Sequence, residues 1–272
     1  MIGKMIIRYP GSKAYIVDAI IKNLDYSKSC YIELFGGSGA VILNKPPHKN
    51  EIYNDINEDL YALFYSLHFH YDEFMAKLDN LFVCEKLFYD LRDMNTSDLS
   101  IVDRGVRAFY LYAISFAGKG KDFSYSFDNK GQATDFANKI ELLKRLKDRF
   151  KRITVLNRDY RKVLEAIKHK TDIMLYADPP YYGSESMYEA EFTWQDHETL
   201  AYYFNNAGYS VMLSYEYFDG IYDLYPQSKW HYIEIDKMRT LAYNTKTKER
   251  VSRIAKELLI MNYKPKIVRR LI

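Results

Sequence analysis

Three short stretches of this sequence carry residues whose types and spacing could do chemistry. The first is Asp178-Pro179-Pro180-Tyr181. Its two prolines remove two backbone N–H donors and fix two φ angles. The turn then presents acceptors without competing donors, namely the Asp178 carboxylate and the Pro179 carbonyl. A group that must be held by both hydrogens of an –NH2 needs two acceptors placed that way, and Tyr181 adds a flat face beside them. The structural alternative is a rigid strand-end turn with the aspartate as its capping acceptor. The second stretch is Glu33-Leu34-Phe35-Gly36-Gly37-Ser38-Gly39, with Asp55 19 residues beyond Gly36. A glycine turn after a strand lets a ligand approach the backbone closely. An acid at the end of the next strand is where doubly wound folds bind ribose hydroxyls. Together they suggest an adenosine-containing cofactor. The loop is not a full G-x-G-x-x-G and lacks the Lys-Ser/Thr of a phosphate loop, so alone it also fits a tight βα turn. The third stretch, Arg8-Tyr9-Pro10-Gly11-Ser12-Lys13, puts a lysine near a helix N-terminus. A cation there opposes the helix dipole, so Lys13 either faces a partner or is an ordinary solvated lysine.

The elements that must position these residues follow from periodicity. Residues 12–24 predict an amphipathic helix, with Ile16, Ile20 and Leu24 at four-residue spacing and Ser12 as its N-cap. Residues 30–35 predict a strand running into the glycines. Residues 40–43 predict the first turn of a helix stopped by Pro46-Pro47, and residues 51–54 a second strand. A helix is expected over 59–68. From about 66 to 150 the chain reads as mostly helical, broken at Asn95 and again over 118–134. Strand signals return at 153–156, 172–177, 209–215, 231–236 and 257–263, with a helix over 160–169. This is one α/β sheet domain interrupted by a helical insertion.

Composition narrows the class. The chain has 272 residues, 48% of them hydrophobic, enough to bury a sizeable core. Only two cysteines, Cys30 and Cys84, argue against a disulfide scaffold and suit a reducing compartment. No apolar run is long enough for a membrane span, and residues 1–11 carry no secretory signal, so a cytoplasmic location is expected. The histidines are scattered apart from His68 and His70, whose spacing sets them on different helix faces, so no metal is expected. The net charge of +3 is mild and decides nothing about nucleic acid. Tyrosine is in excess, at 27 residues; composition and core account for most, and stacking platforms for a few.

Taken together, the three stretches resemble the Dam-type (N6-adenine-specific) DNA methyltransferase family, and the resemblance covers most of the chain. Tyr9 to Lys13 match the N-terminal segment, Glu33 to Gly39 and Asn54-Asp55-Ile56-Asn57 the cofactor motif, and Asp178 to Tyr181 the catalytic motif. Ser214-Tyr215 and the segment from Leu258 to Tyr263 look like the closing strands. The resemblance implies a Rossmann-like S-adenosylmethionine-dependent methyltransferase sheet with an inserted helical target-recognition domain. Residues 1–65 and 151–272 would form the catalytic domain and residues 66–150 the DNA-recognition insertion. It implies S-adenosyl-L-methionine as cofactor, bound through Tyr9, Lys13, Glu33, Phe35, Gly36, Gly39, Asp55 and Asp178. It implies Asp178, Pro179, Pro180 and Tyr181 as the catalytic residues. The substrate implied is an adenine flipped out of double-stranded DNA, since a stacked base cannot reach such a pocket.

Three basic stretches are candidate DNA contacts. Residues 139–152 concentrate lysine and arginine, which fits phosphate binding or an ordinary solvated helix face. Residues 237–256 supply Arg239, Tyr243, Lys246 and Lys248, and residues 118–131 supply Lys119, Lys121 and Tyr125 among glycines and aromatics. Where enzymes that methylate GATC carry Asn-Gly-x-x-Arg-x-Asn, this chain has Ser115-Phe-Ala-Gly-Lys-Gly-Lys-Asp, so a different or looser site is expected. A cognate restriction endonuclease is a further candidate partner, beside a solitary or phage-borne setting. The competing readings are the same chemistry on RNA or cytosine, and a DNA-binding module with a degenerate cofactor site. A nicotinamide dehydrogenase accounts for the glycine loop alone and leaves Asp178 to Tyr181 unexplained.

Overall fold

The computed structural model describes residues 5–125, 131–183, 192–238, 242–243, 250–251 and 254–266. The chain divides into two compact units, Met1–Ile21 with Cys30–Tyr160, and Lys22–Ser29 with Arg161–Ile272. Among the described residues the first unit carries three paired strands, and the second carries four paired strands and a separate two-stranded pair.

In the first unit, β1 (Cys30–Glu33), β2 (Asn50–Asn54) and β3 (Ile153–Leu156) run parallel in the order β3-β2-β1. Between β2 and β3 the chain is helical: α2 (Glu58–Phe69), α3 (Tyr71–Leu78), α4 (Glu85–Arg92), α5 (Ile101–Ile114), α6 (Gln132–Arg145) and α7 (Lys147–Phe150). Asn57 starts α2 by accepting the Leu60 N–H at 2.9 Å, a side-chain cap on an otherwise orphan donor. Leu60, Leu63, Phe64 and Leu67 on α2 are buried. α5 lies so close to α2 that a Cβ on Gly105 would stand 2.7 Å from the Ala62 carbonyl oxygen. These helices thus belong to the same compact unit as the first three strands.

The second unit pairs β4 (Ile173–Ala177) parallel with β5 (Ser210–Glu216). It continues with β9 (Ile254–Met261), antiparallel both to β5 and to β6 (His231–Met238). β4 is buried along its whole length, which accounts for its unbroken apolar sequence. A separate two-residue pair joins β7 (Ala242–Tyr243) to β8 (Arg250–Val251). The helices are α8 (Tyr160–Ile167), starting at the boundary, α9 (Trp194–Asn205) and α10 (Ile221–Leu224).

Two local expectations need correcting. The first helix, α1, covers only Val17–Asn23. Gly11 has φ +76°, and the chain turns through Ser12 N–H to Tyr9 C=O (3.1 Å) and Ile16 N–H to Lys13 C=O (3.0 Å) before helix begins. Ser12 is no cap, because its hydroxyl meets Ser38 Oγ at 3.2 Å instead. Residues 40–44 form turns, not a helix; their α-type bonds stop at Lys45 N–H to Val41 C=O, where Pro46 and Pro47 have no N–H to extend them.

Candidate active site

The first unit carries the glycine turn. Gly36 N–H donates to the Asn54 carbonyl (2.8 Å), tying the end of β1 to the end of β2. Gly37 N–H donates to Asp55 Oδ2 and Asn57 N–H to Asp55 Oδ1, both at 2.8 Å. Burial pushes the Asp55 carboxyl above its usual range, against the lowering effect of the N–H groups of Asn57, Gly37 and Ile56. Each carboxylate oxygen can accept more than one hydrogen bond, so the bonded Asp55 retains acceptor capacity for a diol.

Tyr53, on β2, lies under this turn. Its hydroxyl donates to the Gly37 carbonyl at 2.7 Å, and its ring stacks on Phe64 with centroids 3.9 Å apart. A Cβ on Gly36 would fall 2.1 Å from the Tyr53 ring, and one on Gly39, where φ is +67°, 2.6 Å from Phe64. Glycine is therefore required at both positions by space, and at Gly39 by conformation too. Phe35 is half-buried against Tyr160, with centroids 5.6 Å apart. Glu33 is buried, and one of its oxygens accepts the Tyr31 hydroxyl at 2.9 Å. Tyr9 packs edge-on to Tyr112 at 5.3 Å. Lys13 is not a solvated lysine: only 4% of it is exposed, and its Nζ donates to the Gly11 carbonyl at 2.6 Å.

The second unit carries the acceptor turn. Asp178 follows the last residue of β4 and keeps its Oδ1 shielded from solvent. Pro179 is buried, with Pro180 and Tyr181 half-buried. The Tyr181 ring stacks on Tyr215 (5.7 Å, 24°), and its hydroxyl donates to Glu257 Oε1. Burial and the charges of Asp178 and Glu257 hold the Tyr181 phenol far above its ordinary pKa, so it stays a donor. Tyr215 hydroxyl and His197 Nδ1 lie 2.7 Å apart in the interior.

The candidate DNA residues fall out unevenly. Lys119, Lys121 and Tyr125 are exposed in a loop after α5. Phe116 N–H to Asp122 C=O (2.8 Å) and Ser124 N–H to Ile114 C=O (3.1 Å) close that loop, and Gly120 N–H donates to Ser115 Oγ at 2.8 Å. Tyr243 falls on β7; Arg239, Lys246 and Lys248 lie outside the described residues. In the basic stretch 139–152 five of the cations have carboxylate partners, two of them in the interior and three at the surface. Lys139 is buried against Asp135 and the Ala113 carbonyl, Lys144 pairs with Glu141, Lys147 with Asp72, Arg149 with Glu51 and Lys151 with Asp148. Sequence reasoning missed Tyr53, Glu257 and the exposed Phe116. Only the last had a local signal, an aromatic beside a glycine-lysine loop.

A parallel α/β arrangement with a glycine turn after one strand, an acid after the next and an Asp-Pro-Pro-Tyr turn after a buried strand is that of a Rossmann-like methyltransferase fold. The chain belongs to the D12 class N6 adenine-specific DNA methyltransferase family, whose model matches residues 9–241. It is similar to a DNA adenine methylase of Haemophilus influenzae, at 26% identity over 185 residues covering 64% of this chain and 63% of that protein. It is also similar to the DNA adenine methylases of Escherichia coli K12 and O157:H7, at 28% identity over 116 residues, 41% of each chain. The chain thus spans 63% and 41% of the lengths of these relatives.

Proposed function

We propose that this protein transfers a methyl group from S-adenosyl-L-methionine to the 6-amino group of an adenine in double-stranded DNA. The observation that carries the reading is the Asp178-Pro179-Pro180-Tyr181 turn at the end of a buried strand, in a chain of this family. The glycine turn supports a nucleoside cofactor through the Asp55 carboxylate held beside it, while Gly36 and Gly39 are themselves required by the Tyr53 and Phe64 rings. Tyr9, Lys13, Glu33, Phe35, Gly36, Gly39, Asp55 and Asp178 are the residues proposed to hold that cofactor, which when bound supplies an electrophilic methyl on sulfur.

The protein's own residues do the rest. The amino nitrogen of adenine is a poor nucleophile because its lone pair is delocalised into the ring. Hydrogen bonds from its two N–H groups to the Asp178 carboxylate and the Pro179 carbonyl favour a pyramidal nitrogen whose lone pair points out of the ring plane. Pro180 keeps the turn rigid and free of a competing N–H. Holding the nitrogen in that attitude is an orientation effect. A base in a duplex is stacked and paired, so the adenine is proposed to flip out, with Tyr181 as its stacking surface, worth about 1–3 kcal/mol. Residues 66–150 are proposed as the recognition segment within a catalytic framework of 1–65 and 151–272. Lys119, Lys121 and Tyr125, with Arg239, Tyr243, Lys246 and Lys248, are proposed as its DNA contacts. Acting on DNA fits a cytoplasmic location.

The test is transfer of labelled methyl from S-adenosylmethionine to duplex DNA, RNA and adenine-free G·C duplexes, followed by mapping of modified bases on a plasmid. N6-methyladenine at a site other than GATC, or at a looser set of sites, is expected. Label on RNA or cytosine alone would overturn the substrate, and modification confined to GATC would overturn the expected site. A nuclease cutting the same unmodified site would identify a restriction-modification pair.

A further inference from the structure

We propose that Glu257 is a positioning residue for methyl transfer, fixing the Tyr181 ring through the hydrogen bond from the Tyr181 hydroxyl to its carboxylate. The inference rests on the reading above, in which Tyr181 meets the target base. Glu257 lies in the interior of β9, with Glu216 of β5 and Ile235 of β6 beside it in register. None of its surface is exposed. A carboxylate in that setting is unfavourable unless it is bonded, and the Tyr181 hydroxyl is a donor it receives.

The bond completes a three-point fixation. The backbone of Tyr181 follows two prolines, so its start is fixed in direction. One face of the ring stacks on Tyr215, itself fully buried and held at its hydroxyl by His197. A stack sets the plane of a ring but lets it slide within that plane. The bond at the hydroxyl end removes the slide. A base stacking on Tyr181 takes the face opposite Tyr215, and finds a ring already in place. Ordering a side chain at the moment of binding costs free energy, which this arrangement avoids. It also explains why the motif's aromatic carries a hydroxyl, which a stacking face alone does not need.

The test uses the full chain and four variants: Tyr181→Phe, Glu257→Leu, their combination, and Glu257→Gln. Methyl transfer to duplex DNA gives kcat and KM, and thermal unfolding gives stability. Tyr181→Phe and Glu257→Leu are each expected to lower kcat on the order of 10-fold, with KM for S-adenosylmethionine within about 2-fold of the wild type. The double variant is expected to be no slower than the worse single, because both substitutions remove the same bond. It is also expected to be more stable than the two singles sum to, since each single leaves one partner of this bond without the other and the double removes both. Glu257→Gln keeps an acceptor oxygen and is expected to retain more activity than Glu257→Leu; it also stands in if the latter does not fold. Rates for the Glu257 variants within twofold of the wild type, or effects that multiply in the double variant, would overturn the proposal. A wild-type chain that methylates no adenine duplex overturns the underlying function instead, and stability coupling between the two residues would persist in that case.

Discussion

The Tyr53 ring occupies the volume that a side chain on Gly36 would need: a Cβ there would stand 2.1 to 2.6 Å from three ring carbons. The ring has nowhere to retreat, since Phe64 stacks on it at 3.9 Å and its hydroxyl holds the Gly37 carbonyl. Gly36→Ala is therefore expected to cost on the order of 2 kcal/mol of stability and to abolish binding of S-adenosylhomocysteine. Thermal unfolding and calorimetry check both. Tyr53→Phe, which keeps the ring and loses one hydrogen bond, is expected to cost only about 1 kcal/mol. A fully stable Gly36→Ala protein would mean that the turn is looser than this geometry.

Asp178 stands where β4 ends, outside the packed apolar run. Asp178→Ala is expected to remove methyl transfer, by at least about 1,000-fold, the scale seen when an essential polar group is lost from an active site. Circular dichroism should remain that of the folded protein. Residual activity within tenfold of the wild type would rule out Asp178 as the acceptor of the amino group.

How much of this could be read along the chain depends on whether the cause is local. The strands at 30, 51, 153, 173, 210, 231 and 257 announce themselves by apolar runs and turn residues, and the glycine turn and Asp55 follow from their position at strand ends. Tyr53 and Glu257 were not legible, because what each touches is set by strand register and by residues far along the chain. The basic stretch 139–152 shows the same limit in reverse. Its charges look uncommitted in sequence, yet Lys147 is paired at the surface with Asp72 and Arg149 in the interior with Glu51, carboxylates that only folding brings near. Ser12 reads as a helix cap until Ser38 is seen to occupy its hydroxyl.

That difference predicts which cations meet DNA. Each phosphate contact contributes about −0.9 to the slope of log affinity against log salt. Lys119→Ala and Lys121→Ala are each expected to make the slope shallower by nearly that amount, while Lys147→Ala leaves it unchanged. Fluorescence anisotropy with a labelled duplex at several salt concentrations measures it. A change confined to Lys147→Ala would return the recognition surface to α7.

Glu51 sets the acid limit of one buried cluster. Its carboxylate binds Lys45 and Arg149, and Lys45 lies 4.1 Å over the Tyr31 ring. Burial alone would raise its pKa, but the bonds from Arg149 and Lys45 outweigh that and hold it below 4.5. Burial pushes the Lys45 ammonium down to about 8. Because the folded pKa of Glu51 is depressed, its stabilisation is complete above the unfolded value near 4.5 and is lost as pH falls through the lower folded one. Glu51→Gln removes the countercharge of buried Lys45 and half-buried Arg149 and is expected to cost about 3–5 kcal/mol at pH 7. The gap from the wild type should narrow below pH 4.5 when unfolding is followed across pH. A gap that stays constant into acid would mean that Glu51 is not ionised in the fold.

Gly118, at φ +69°, passes so close to Arg8 that a Cβ would sit 2.5 Å from the Arg8 carbonyl carbon and oxygen. The loop bearing Lys119 and Lys121 is thus braced on the segment that leads into Tyr9 and Lys13, and Arg8 adds an ion pair to Asp135 on α6 at 3.3 Å. On the proposed assignment, cofactor at Tyr9 and Lys13 and DNA at Lys119 and Lys121 would engage opposite ends of one brace, and their binding would be linked. If cofactor tightens DNA binding by some factor, DNA must tighten cofactor binding by the same factor. Widening that contact, as by shifting the Arg8 backbone, would weaken both effects together and equally.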